Sequence, residues 1–185
     1  MDKIYIMKTL SGAEEYIKLE GNLAQLKEAC IKSEIQYLSH EKVTFQVSEQ
    51  GGLEIPDVIC QEGIVFISSQ IKEMLDLEGI DYVFYKQADI ISDKYGIHEN
   101  FWIMVPPRID CIDLDKSDFV AEWDFEEGLV PVLNVNEIRI MPKLLGRFEI
   151  FKIFGIADNN IYVRERIYQV LNSGHYEGIT FILLQ

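Results

Sequence analysis

Asp113, Asp115 and Ser117 occupy the first, third and fifth positions of a twelve-residue calcium-loop frame, with Val120 at the apolar eighth and Asp124 at the twelfth. Oxygen donors at alternate positions are what a hard divalent cation requires. The sixth position, where the chain must turn sharply and glycine is needed, is Asp118, and an aspartate replaces the bidentate glutamate. The frame fails at its two most demanding positions. Asp113-Leu114-Asp115 also has the two-carboxylate spacing with which nucleotide-sugar transferases hold a metal, and Asp110 would add a third donor. No glycine-rich phosphate loop accompanies it. A divalent-metal-dependent transferase or hydrolase using Asp110, Asp113 and Asp115 is therefore the alternative function, and the preferred reading involves neither metal nor cofactor.

Nucleophilic catalysis needs a serine or cysteine beside a histidine with an orienting acid. His40, His98 and His175 stand far apart, no serine lies in a G-x-S-x-G elbow, and Gly174-His175-Tyr176 reads as an exposed turn. Cys30, Cys60 and Cys111 are odd in number and contain no C-x-x-C pair, so neither a disulfide framework nor a zinc site is expected. Reduced thiols in a cytoplasmic protein fit that spacing. The ten Phe, nine Tyr and two Trp alternate with aliphatics at strand spacing and read as core. Trp102 could anchor an interface, whereas Trp123 falls on a packed face.

The carboxylates have a second possible use. The 185 residues include 31 acidic and 17 basic side chains, a net charge of −14. Residues 109–127 hold eight acids against Lys116 alone, so half of that charge lies in about a tenth of the chain. Such a balance argues against nucleic acid, whose phosphates must be met by Lys and Arg, and against anionic membrane surfaces. If Asp118 to Phe125 is a strand, Phe119, Ala121, Trp123 and Phe125 share the packed face while Asp118, Glu122 and Asp124 form a carboxylate row outside. A row of like charges repels itself and contributes nothing to folding. It is either a solvated, edge-protecting face or an electronegative docking surface for a basic protein. The candidate partner-binding residues are Asp113, Asp115, Asp118, Glu122, Asp124, Glu126 and Glu127.

The elements that must position these residues are short. Lys3 to Leu10 reads as a strand, Asn22 to Ser33 as a helix capped by Asn22, and Lys42 to Val47 as a strand with Val43, Phe45 and Val47 on one face. Gly51-Gly52 and Pro56 set a soft boundary, dividing a small N-terminal α/β lobe (1–56) from a domain over 57–185, unless the two are continuous. Ile64 to Ile67 leads through Ser68, an N-cap, into a helix over Ser69 to Glu78 ended by Gly79, then a strand over Asp81 to Tyr85. The same pattern recurs 96 residues later, with Val65 to Ile71 aligning on Ile161 to Ile167 and Met74-Leu75 on Val170-Leu171. After three inserted residues, Glu78 to Phe84 aligns on Glu177 to Leu183. Further strands are predicted over Phe101–Val105, Ile109–Leu114, Asp118–Phe125, Val130–Val135, Glu137–Ile140 and Phe148–Phe154. The prediction is α+β, with mixed, mostly antiparallel sheets, two similar strand–helix–strand units (about 64–85 and 161–184) and one N-terminal helix. Met1–Leu10 lacks a signal-peptide core, and no stretch nears the ~18 apolar residues of a membrane helix.

Four of these segments carry a family resemblance: Val65-Phe66-Ile67-Ser68 running into a helix to Leu75, Ile109 to Asp113, the Phe-rich Phe148 to Ile153, and Gly178-Ile179-Thr180-Phe181-Ile182. Over about 60–185 the chain resembles DUF1629-type (Imm11-like) immunity proteins of bacterial polymorphic toxin systems. The resemblance rests on packing residues, and it implies a non-enzymatic cytoplasmic antidote that binds a cognate toxin encoded beside it. It transfers no catalytic residue and leaves the binding surface and oligomeric state open.

Overall fold

Near-continuous apolar runs such as Ile64–Ile67 and Ile161–Val163 bury both faces of a strand, and two buried faces require layers on both sides. In the computed structural model, which describes residues 3–10, 15–21, 23–34, 38, 42–123, 131–156 and 160–184, that requirement is met by two large mixed sheets and three helices. The first sheet contains β2 (Leu19–Glu20), β3 (Val43–Val47), β4 (Val58–Gln61), β5 (Ile64–Ser68), β6 (Phe84–Ser92) and β7 (Ile97–Val105), in the order β2-β3-β6-β7-β5-β4. The second contains β1 (Ile4–Thr9), β8 (Arg108–Ile109), β11 (Ile150–Ile153), β12 (Ile161–Arg164) and β13 (Ile179–Leu183), in the order β13-β1-β12-β11-β8. Among the described strand pairs, β3 with β6 and β8 with β11 run in parallel and the others antiparallel. β9 (Asp118–Trp123) and β10 (Pro131–Glu137) form a separate hairpin with a bulge between Val135 and Glu137. The helices are α1 (Ala24–Lys32), α2 (Ser69–Leu77) and α3 (Glu165–Ser173).

Residue parity sorts the strands into three clusters. On β5 and β7, Ile64, Phe66, Phe101 and Ile103 face Leu23 and Cys30 on the α1 side. The alternate residues Val65, Ile67 and Met104 join Ile71 and Leu75 of α2, Ile167 and Leu171 of α3, and Tyr5, Met7, Ile161 and Val163 of the second sheet. On the far face of that sheet, Ile4, Phe151 and Tyr162 pack against Cys111, Ile112, Ile140 and Leu145. The middle cluster is thus common to both sheets. Residues before position 56 supply β1 to one sheet and β2 and β3 to the other, so hydrogen-bonded ladders run between the two sides of that position.

The connections follow one scheme twice. β5 and β6 are both antiparallel to β7, which lies between them, and α2 joins them. β12 and β13 are both antiparallel to β1, which lies between them, and α3 joins them. The buried residues Ile71 and Leu75 of α2 and Ile167 and Leu171 of α3 stand 96 positions apart. Ser68 Oγ accepts from the Ile71 amide at 3.4 Å at the start of α2, whereas Arg164, in the same position before α3, makes no side-chain cap. The six-stranded sheet curls far enough for its outer strands to meet: the Gln61 side chain accepts from Leu19 N at 2.7 Å and donates to Leu19 O at 2.5 Å.

Several boundaries differ from the sequence expectation. β6 starts at Phe84 rather than Asp81 and continues to Ser92, where a turn through Gly96 (φ +65°) returns the chain along β7 from Ile97. Lys86 and Ser92 take inward positions on β6 at only 4% and 6% exposure, which disguises its apolar alternation. Expected strands at Ile109–Leu114 and Glu137–Ile140 shrink to two-residue β8, the end of β10 and an isolated bridge between Ile112 and Ile140. The residue before α1 is Leu23, with no side-chain cap; Asn22 lies outside the described residues.

Asp57 ties the two strand–helix units together. Its Oδ1 accepts from Ser68 Oγ at 2.9 Å, and its Oδ2 accepts from the Glu177 amide at 3.0 Å. Gly178 follows at φ +82°, so close to Val58 that an added Cβ would lie 2.3 Å from the Val58 carbonyl oxygen. Gly79 has a similar φ of +75° but faces open space. Gly79→Ala should therefore cost only the left-handed backbone penalty, about 1–2 kcal/mol. Gly178→Ala adds a backbone clash and should cost roughly 2 kcal/mol more. Urea melts of the two variants check this; equal losses would contradict the close approach.

Candidate functional site

The acidic segment begins where Pro106-Pro107 ends β7, since neither proline can donate to a ladder. β8 then pairs with Lys152 and Ile153, and Cys111 and Ile112 are buried in the third cluster. Their backbone is fixed from the opposite strand: Met141 N donates to Cys111 O at 2.8 Å, and Asp113 N donates to Arg139 O at 2.8 Å. At Asp113 the chain turns, its carbonyl accepting from Lys116 N at 3.1 Å and Ser117 N at 2.9 Å. Ser117 Oγ accepts from Arg139 N at 2.9 Å and donates to Arg139 O at 3.3 Å, which aligns β9 with residues beyond β10.

The carboxylates separate by role. Asp113 is held inward, its Oδ2 paired with Lys116 Nζ at 3.0 Å and its side chain only 15% exposed. Asp110 and Asp115 are exposed, as is Asp118, whose Oδ2 accepts from Asn136 Nδ2 at 3.2 Å. Nearby Arg139 is engaged by Glu137. Phe119 packs on the third cluster while Val120 is 56% exposed, so β9 alternates in the expected phase where its side chains are described. The Ala121, Glu122 and Trp123 side chains and all of Asp124, Phe125, Glu126 and Glu127 lie outside the described residues.

This arrangement does not assemble a metal centre. Among the described residues no three His, Cys, Asp or Glu side chains converge, Asp110, Asp113 and Asp115 included. Nor does it assemble a thiol nucleophile. Burial pushes the Cys30 thiol up to about 11, partly offset by Lys152, and pushes Cys111 up to about 12, reinforced by Asp110. His98 is exposed on β7, His175 is exposed at φ +52°, and His40 lies outside the described residues. Trp102 is half-buried against the middle cluster, with Lys72 Nζ 5.3 Å from its ring.

A second group of acids has no sequence signature. Glu15, Glu54 and Glu177, far apart in the chain, all lie near Tyr16, whose hydroxyl is bonded to the backbone of Gly178. Burial first, then these three carboxylates, raise the Tyr16 pKa. Backbone contacts bring them together: Tyr16 bridges to Glu54, Glu54 N donates to Glu15 O at 3.0 Å, and Val58 N donates to Glu177 O at 3.1 Å.

The thiol environments make a direct prediction. A group whose pKa is near 11 or 12 has roughly a thousandth or less of its population as thiolate at pH 8. At that pH a thiol reagent should modify only half-buried Cys60 in the native protein, and all three cysteines after denaturation. Rapid labelling of Cys111 in the native state would contradict its placement.

The four segments that carried the resemblance are now located in the fold. Val65 to Leu75 forms β5 and α2, Ile109 to Asp113 forms β8 and the Ile112 bridge, Phe148 to Ile153 leads into and forms β11, and Gly178 to Ile182 opens β13. A search of curated proteins finds no match. The family model described as Immunity protein family (Imm11) matches residues 6–184, so the likeness extends through the N-terminal strands instead of starting near residue 60. The chain belongs to the Imm11 immunity protein family.

Proposed function

We propose that this protein is a non-enzymatic antidote that acts in the bacterial cytoplasm by binding and occluding a cognate protein toxin. Membership of an immunity protein family over residues 6–184 carries this reading. No described helix is long and apolar enough to cross a membrane. The two strand–helix–strand units are copies of one packing unit, since their helices bury equivalent residues at the same offset.

The docking surface in this proposal is the 109–127 segment. Lys116 and Arg139 are occupied by Asp113 and Glu137, which leaves Asp110, Asp115 and Asp118 to face solvent without a cationic partner among the described residues. Glu122, Asp124, Glu126 and Glu127 extend the same negative segment in sequence. Opposed fields of this kind speed and select an encounter, and they are screened by salt. The toxin would present a basic groove, and the carboxylates would occupy the position of an anionic substrate.

Titration against the toxin domain encoded beside this gene tests the proposal. Affinity should fall roughly tenfold or more between ~0.05 and ~0.5 M salt. Asp115→Lys with Asp118→Lys, or Glu122→Lys with Asp124→Lys, should weaken binding while leaving the melting temperature near that of the unaltered chain. Salt-independent affinity would remove the acidic surface from the interface.

A further inference from the structure

β13 is an outer strand that lacks the usual protections of a sheet edge. Native edges are blunted by charge, proline, bulges or shortness. β2 and β8 have two residues each, and β4 is tied to β2 through Gln61. β13 instead reads Ile179-Thr180-Phe181-Ile182-Leu183, pairs with β1 over all five residues without a bulge, and leaves Ile182 and Leu183 51% and 55% exposed.

The ladder fixes which backbone groups are free. Leu10 N donates to Gly178 O at 2.9 Å, and Leu184 N donates to Ile4 O at 2.8 Å, so even-numbered residues of this segment bond inward to β1. Antiparallel alternation then turns the amides and carbonyls of Ile179, Phe181 and Leu183 outward. None of these has a backbone partner among the described residues.

Beside this edge lies a groove of about 370 Å³ between α3 and β13, lined by Tyr168, Asn172, His175, Tyr176 and Phe181. Tyr168 is already ordered, stacked on Tyr5 at 3.8 Å between ring centroids and edge-on to Phe181 at 5.2 Å. Aromatic faces of this kind attract a guanidinium or ammonium group. Glu177 stands at the start of the strand, with Glu15 and Glu54 near it around Tyr16. The chain as a whole carries −14.

We propose that the open edge of β13 receives an extended cationic segment of the partner protein as an added strand. Residues of that segment opposite Ile179 and Phe181 share their face and reach the aromatic groove, where Arg or Lys fits. Its alternate residues meet exposed Ile182 and should be apolar. Charge selects this occupant over a second copy of the chain, because two edges each belonging to a −14 molecule repel. The inference rests on the reading that the partner is a toxin, and it assigns that toxin a second contact on the immunity protein.

Proline at an odd position of β13 removes an outward amide while leaving the bonds to β1 in place. Leu183→Pro is the chosen variant, because its side chain is exposed; Leu183→Ala is the control. The probe is the toxin domain encoded beside this gene, titrated against the full chain, with amide exchange followed in the free and bound states. The expected result is slowed exchange at Ile179, Phe181 and Leu183 on binding and roughly tenfold weaker binding by Leu183→Pro, with Leu183→Ala near unaltered. Tight binding by the unaltered chain with no protection at these three amides overturns the edge proposal and leaves the toxin reading intact, whatever the proline variant does. No binding by the unaltered chain overturns both. A free chain that is a dimer, made monomeric by Leu183→Pro, would give the edge to a second copy and also overturn the proposal.

Discussion

The position of β1 constrains the rest of the structure. Residues 4–9 are hydrogen-bonded on one side to β12 and on the other to β13, so the last strand–helix–strand unit is not a complete sheet until the first strand is inserted. The same requirement is met locally in the other unit, where β7 follows β6 through a tight turn and enters between β6 and β5. One insertion closes a short loop, whereas the other brings together residues more than 150 positions apart. Loop closure must precede the contacts that reward it, so the five-stranded sheet carries the larger entropic cost of closure. A family match that begins at residue 6 is consistent with that constraint, since a unit without β1 would expose both inner edges.

Polar groups join the layers once the strands are in place. Lys152, on β11, is 3% exposed and sends Nζ to the Cys30 carbonyl at 2.7 Å, near the C-terminal end of α1. A helix end leaves carbonyls without internal partners, and a cation satisfies both the hydrogen bond and the dipole. Ser33 Oγ donates to Pro106 O at 2.8 Å from the same helix end. At the start of β11, Tyr82 accepts from Glu149 N and Ile150 N, and Arg166 pairs with Glu78. The contacts of Lys152 and Ser33 join α1 to the strands of both sheets.

Local chemistry was readable where a residue's role depends on its near neighbours. Ser68 before an apolar stripe marks the start of α2, and the alternation of Asp118 with Phe119 sets the phase of β9. The β6–β7 hairpin escaped because a buried lysine and a buried serine occupy inward positions, and only the tertiary setting makes them acceptable there. Asp113 looked like one of several free carboxylates, but the turn places Lys116 against it. The grouping of Glu15, Glu54 and Glu177, the Gly178–Val58 approach and the open edge of β13 all depend on contacts across 39 or more positions. No periodicity encodes such contacts.

The molecule combines two packed sheets and a net charge of −14 with an outer strand, β13, whose far side has no backbone partner among the described residues; the proposed basic partner would use the last two. Neutralisation of a toxin is the claim that joins these features to the family. Growth of cells expressing the toxin domain encoded beside this gene, with and without the full chain, measures it most directly. The account predicts that growth stops with the toxin alone and returns when this protein is co-expressed. Continued growth arrest, with the protein folded and abundant in the same cells, would contradict it.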